Sequence, residues 1–230
     1  VVPMVIWSIH EPVRPHTTID NESRDQSAPA RAPRGVIMLI YAIAFLGMIA
    51  FYAIPLQIPF HLKILTGANG TYAGLAIACM TLFATVSAML YSRVKAKLSF
   101  PGVVAVMLLI VATGYLIVAM AVSYTVVLLG MMVAGLGLGL LMPNLNVWLM
   151  SHAPEASRGR FVGGLTMALF LGQFVSPIAL RPLLAVWGTV GVFAALGVCM
   201  LAAMIGFAGY ALIRPCMKAR SGSAAIDAEP

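Results

Sequence analysis

The sequence predicts an all-α polytopic membrane protein, with six transmembrane helices arranged as an inverted 3+3 repeat. Three observations carry the prediction. Apolar residues make up 61% of the chain and charged residues 9%, with a mean hydropathy of +0.99, whereas a soluble domain is about one quarter charged. The charges fall into short clusters separated by apolar runs near 20 residues, the length that crosses roughly 30 Å of hydrocarbon. One pattern also occurs twice: GTYAGLA at 70–76 and GRFVGGLT at 159–166 share a Gly-x-x-x-Gly spacing with an aromatic at the same place.

In chain order, residues 1–8, VVPMVIWS, form an apolar stub too short to span and read as the end of a preceding transmembrane helix. Residues 9–35 mix Pro, Ser and both charge signs without apolar periodicity, the composition of a disordered linker, which as a coil has an end-to-end distance of roughly 30 Å. Residues 36–213 hold the bundle, with spans at 36–56, 72–91, 102–122, 124–150, 161–180 and 189–213. None contains a charged side chain, each of which would cost about 2.5–3.5 kcal/mol at a helix centre. Residues 214–230 form a polar tail.

Lys and Arg placement sets the orientation. Arg14, Arg24, Arg31 and Arg34, then Arg93, Lys95 and Lys97, then Arg158 and Arg160, and last Arg214, Lys218 and Arg220 fall on one side, while the other holds Lys63 and Arg181. The basic side is cytoplasmic by the positive-inside rule, which puts linker and carboxy terminus there. The net charge of +7 is thereby a topology signal and not a nucleic-acid footprint. The lipid bilayer is the partner, with the last basic cluster placed to touch anionic headgroups.

The twofold pattern extends beyond the opening glycines. Gly70 and Gly159 are about 89 positions apart, as are Gly74 and Gly163, and PGVVAV at 101–106 aligns with VGVFAA at 190–195 on the same offset. Gly47 and Pro55 match Gly135 and Pro143 at nearly that offset. The unit is three helices, so its second copy enters the membrane from the opposite face. Pro55, Pro143 and Pro177 are the expected bends, because a proline removes one helical hydrogen bond.

The stretches FYAIPLQIPFHL, GLAIACMTLFATVSAMLYSRVKAKLS and PNLNVWLMSHAPEASRGRFVGGLTMALFLGQFVSP resemble the carboxy-terminal half of the major facilitator superfamily, nearest its bacterial efflux members. The resemblance covers essentially the whole chain and is most specific in PEASRGRFVGG and GQFVSP. It implies half of a twelve-helix transporter of the bacterial inner membrane. That transporter would move a small-molecule substrate by alternating access, as proton-coupled efflux or antiport, together with a missing amino-terminal six-helix half. The family's loop between second and third helices carries an Asp that YSRVKAKLS lacks, although Arg93 is kept. The alternative is a self-contained six-helix channel or membrane assembly partner.

In that architecture the first and fourth helices of the half line a central cavity and the second and fifth flank it. The candidates for contact with substrate are Phe45 and Tyr52 on the first span, Asn144 and Asn146 on the fourth, and Gln173 on the fifth. A buried amide in lipid must face protein or a wet cavity, so each amide has interhelical glue as its second reading. Tyr41 reads as packing or interface belt, and Gln57, near the outer interface, as hydrated. Gly135, Gly139, Gly163, Gly164 and Gly172 are expected at close helix crossings. GLGLGL at 135–140 lacks the strand and third glycine of a nucleotide-binding turn. Arg93, Glu155, Arg158 and Arg160 are the expected cytoplasmic gate, with Glu155, Arg158 and Arg160 as an inter-helix charge cluster. The second reading of that loop is topology and a solvated turn.

Nothing points to catalysis. His10, His16, His61 and His152 are expected in loops without metal-ligand spacing, Cys79, Cys199 and Cys216 are scattered, and no Ser or Asp pairs with a base at membrane depth. No cofactor, no metal and no enzymatic activity are expected.

Overall fold

The structure, a computed structural model, describes the backbone of residues 34–67 and 70–226, with side chains described up to residue 209 except at 156. The expected helix end at 1–8, nearly all of the linker, and the tail's basic side chains lie outside the described residues. All regular structure among the described residues is helical: α1 Arg34–Thr66, α2 Gly70–Lys97, α3 Phe100–Ala119, α4 Tyr124–Leu138, α5 Leu141–Met150, a 3-10 turn Glu155–Ser157, and α6 Arg158–Ile226.

Five segments are long and apolar enough to cross a membrane: α1, α2, α3, the joined pair α4 and α5 as Tyr124–Met150, and Arg158–Gly209 of α6. Where the sequence predicts two spans with a break at 181–188, helix continues through Arg181 and Pro182 and is interrupted only at Gly188. Gly188 has φ 62° and ψ −167°, backbone that only glycine adopts without strain. Its two arms run in opposite directions along α1. The first keeps step with it: Tyr41 Oη donates to the Phe161 carbonyl at 2.8 Å, Ser176 Oγ to the Ile49 carbonyl at 2.8 Å, and Leu180 packs with Ala53. The second runs back, with Thr189 beside His61, Leu196 and Met200 near Gly47, and Gly206 near Gly35 and Leu39.

Local chemistry fixes the other ends. Gly67, at φ 64°, closes α1 with its N–H on the Lys63 carbonyl at 3.0 Å, a left-handed terminus that disfavours a side chain. Ser99 caps α3, its Oγ accepting from the Gly102 N–H at 3.3 Å, with Pro101 in the first turn where no N–H is needed. Between α4 and α5 the helix tightens: Leu140 N–H bonds to the Gly137 carbonyl at 3.1 Å, one residue short of the α-helical partner. Pro143 follows within a turn, and having no N–H it leaves the Gly139 carbonyl without its helical donor.

Apolar side chains cover these helices all round, so packing is set by shape. Glycines of α4 face two ways. An added Cβ at Gly130 would meet the Gly114 carbonyl oxygen at 2.9 Å, and one at Gly137 the Met107 carbonyl oxygen at 2.9 Å, both on α3. Cβ atoms at Gly135 and Gly139 would instead run into the Met80 and Ala84 carbonyls of α2. Helix α4 is therefore a wedge seated against two backbones at once. The largest buried side chains, Trp148, Tyr115 and Phe193, fill the interior where such close approach is lacking.

Candidate substrate cavity and gate

Phe45 and Tyr52 lie two turns apart on one face of α1, both half-buried. Pro55 follows on the exposed surface, and together with Pro59 it removes two backbone hydrogen bonds from the end of α1. The Phe45 carbonyl is where an added Cβ at Gly172 would land, so half-buried Gln173 stands at the same level of the bundle as Phe45. Tyr41 bonds to the Phe161 carbonyl and closes over Gly164.

The two asparagines of α5 separate. Two residues of helix rotate a side chain by roughly 200°, so they cannot share a face. Asn144 is 1% exposed, accepts from Tyr91 Oη at 3.3 Å and approaches the Phe100 carbonyl through Nδ2 at 3.4 Å. It joins α2, α3 and α5, the arrangement of its interhelical-glue reading. Asn146 is exposed and spends its amide on its own helix, Nδ2 donating to the Met142 carbonyl at 2.9 Å. Pro143 is half-buried, Pro177 exposed.

Of the five expected packing glycines, Gly135, Gly139, Gly164 and Gly172 sit where a Cβ would collide, three of them with backbone. Gly163 does not. Nothing lies within 4 Å of a Cβ built there, because it is on the open face of the first arm of α6. The charge cluster is also narrower than expected. Arg158 and Glu155 pair at 3.4 Å, but the two are three residues apart on one turn, so the contact bridges no helices. Arg93 and Arg160 are exposed; among the described residues neither makes a salt bridge.

Two more corrections concern α1. Helix extends to Thr66 past both prolines, which carries Gln57 and His61 inside, 7% and 2% exposed. Gln57 is thus not a hydrated interface residue, and His61 is not in a loop. The reason is the neighbour: the second arm of α6 returns along α1 and covers this turn.

Sequence reasoning missed three arrangements. Gly114, Gly130 and Gly137 form the α3–α4 crossing, and only their small size in an apolar run hinted at it. Lys95 Nζ stands 4.0 Å from the Phe100 ring centre, and Phe100 stacks on Trp148 at 5.8 Å with planes 1° apart, a ladder joining the end of α2 and the start of α3 to α5. Ser87 and Ser176, on the 89-residue offset, each donate to a backbone carbonyl of another helix, Leu136 and Ile49 respectively. An apolar crevice of about 220 Å³ between α1, α3 and the second arm is lined by Gly47, Met107 and Leu196 among others, and includes none of the expected substrate residues.

A helical bundle with apolar spans, prolines in α1 and α5, and amides at membrane depth fits a transport protein, and comparison decides the family. The family model described as the Major Facilitator Superfamily matches residues 33–225. The chain belongs to that superfamily. A search of curated proteins gave no match to the chain. As a major facilitator chain it is an integral membrane protein, and its class of function is transport of a small molecule across the bilayer.

Proposed function

We propose that this major facilitator chain forms a six-crossing half-transporter, an inverted 3+3 repeat that works by alternating access with a second six-helix half, as proton-coupled efflux at a bacterial inner membrane. The observation that carries the reading is the serine pair. Ser87 in the second helix of the first triplet donates to α4, which opens the second triplet; Ser176 in the first arm of α6 donates to α1, which opens the first. Each copy thus clasps the first helix of the other in the same way, as a pseudo-twofold axis in the membrane plane requires. Burial agrees along the same offset: Val103 and Val192 are both 0% exposed, and Val104 and Phe193 1% and 0%. The reversal at Gly188 supplies a sixth crossing, because 52 helical residues would extend roughly 78 Å if straight, against about 30 Å of hydrocarbon.

The substrate surface we assign to Phe45, Tyr52, Asn146 and Gln173, which stay partly open, with Pro55 and Pro143 as matching bends of α1 and α5. Apolar and aromatic lining with few amides suits a hydrophobic, weakly polar substrate. The turn holding Glu155 and Arg158, with Arg160 in the first turn of α6 and Arg93 near the end of α2, is the cytoplasmic gate.

Single cysteines in a background lacking Cys79, Cys199 and Cys216 test the plan. Trp187→Cys and Ser123→Cys should react with a membrane-impermeant maleimide from outside intact cells, and Ser99→Cys and Ser157→Cys only after permeabilisation. Labelling of Trp187→Cys from the same side as Ser99→Cys refutes six crossings. Proton coupling is tested separately by loss of efflux when the pH gradient of inverted vesicles is collapsed.

A further inference from the structure

Two openings beside α1 adjoin to form one groove. The crevice of about 220 Å³ between α1, α3 and the second arm of α6 is lined by no charged, amide or hydroxyl side chain. A second opening of about 530 Å³ lies between Gly35 and Leu39 of α1 and Gly206 of the second arm. Ala203 and Phe207 line both, so the two meet there. Small residues leave the gap: nothing lies within 4 Å of a Cβ built at Gly35 or Gly206, and Gly47, Ala50 and Ala203 are too short to close the crevice. From Gly35 to Ala50 the axis of α1 advances roughly 22 Å. One leaflet of hydrocarbon is about 15 Å deep, half of the bilayer core. The groove therefore runs the depth of one leaflet and opens beside Arg34, whose side chain is exposed.

We propose that this groove binds one anionic phospholipid, with an acyl chain lying along α1 in the crevice and the phosphate beside Arg34. Size selects a chain: a helix with its side chains is about 10–12 Å across and does not enter so narrow a crevice, whereas a single hydrocarbon chain does. Depth selects a lipid, since the groove matches one leaflet and ends where a headgroup lies. Charge selects an anion. Arg34 stands at the open end, the sequence of α6 reaches Arg214 two turns after Phe207, and the acidic residues from Arg34 to Arg214 amount to Glu155, which is paired with Arg158. A basic residue near the membrane surface favours anionic lipid. The chain supplies dispersion contacts to walls that otherwise face a gap, and so packs the second arm against α1 where both present small residues.

The lipid site is read from bound mass and not from flux, so it stands or falls apart from the transport reading. The full chain is purified in mild detergent with equal amounts of phosphatidylglycerol and phosphatidylcholine carrying the same acyl chains. Native mass spectrometry should show one retained phospholipid, with phosphatidylglycerol preferred. Ala203→Trp plugs the groove where its two parts meet and should abolish retention. Ala202→Trp, at an exposed neighbour outside the groove, should keep it. Arg34→Gln, at the exposed end of α1, should still retain a lipid but lose about fivefold in preference for phosphatidylglycerol, the effect of one basic residue near an anionic surface. Inorganic phosphate should not compete. Undiminished retention by Ala203→Trp, equal loss in both tryptophan variants, or an unchanged preference in Arg34→Gln overturns the proposal, as does displacement of the lipid by phosphate. The Arg34→Gln result decides the matter if neither tryptophan variant folds.

Discussion

Replacing Gly139 with alanine separates the packing role of the α4 glycines from their helix propensity. Gly139 has ordinary helical angles, φ −62° and ψ −22°, so alanine suits the backbone and gains about 0.8–1 kcal/mol of propensity. Its Cβ, however, would press on the Ala84 carbonyl group and lie 2.8 Å from the Ala84 Cα. Those are backbone atoms, so no rotamer change relieves the contact. Normal carbon separation is about 3.5–4.0 Å, and α2 must withdraw by about 1 Å. Overpacking of this kind costs about 1–3 kcal/mol. The withdrawal also stretches the Ser87 to Leu136 hydrogen bond in the same seam, adding about 0.6 kcal/mol. The net expectation is a loss of about 0.6–2.8 kcal/mol. Gly163→Ala is the control, since nothing lies within 4 Å of its Cβ and only the propensity gain remains. Thermal unfolding of both variants in the same detergent should move in opposite directions. Equal melting temperatures for the two would refute the close α2–α4 approach.

Gly188→Ala meets no neighbour but forces a side chain into φ 62° and ψ −167°, so it should cost about 1–3 kcal/mol of strain, read as a lower melting temperature with unchanged helix content by circular dichroism. Ser87→Ala and Ser176→Ala should each lose about 0.6 kcal/mol, the average for an interhelical hydrogen bond in a membrane, and similar losses in denaturation by sodium dodecyl sulfate would match their equivalent positions. Arg158→Ala removes a pair whose side chains are 46% and 87% exposed, so stability and insertion should hold within about 0.5 kcal/mol; transport should nevertheless fall, and normal transport would remove the proposed gate.

The sequence by itself determined the solvent and much of the layout. Apolar runs free of charge placed the helices in a bilayer, because hydrocarbon leaves no other way to satisfy a spanning backbone. The echoed glycines at 70, 74, 159 and 163 marked helix starts, and prolines and glycines marked where α1 weakens and α4 gives way to α5. What the sequence could not determine was azimuth. A helix that is apolar all round has no polar face to announce which way it turns, so Asn144 and Asn146, or Gly163 and Gly164, look alike until neighbours are in place. Tertiary structure put Asn144 inside and Asn146 outside, sent Gly130 and Gly137 to α3 and Gly135 and Gly139 to α2, and confined the Glu155 to Arg158 pair to a single turn. It also buried His61 and Gln57, residues that read as loop and interface by position along the chain. Their burial depends on the second arm of α6 folding back at Gly188, more than 120 residues away in sequence, and a contact of that range is set by packing and not by local propensity.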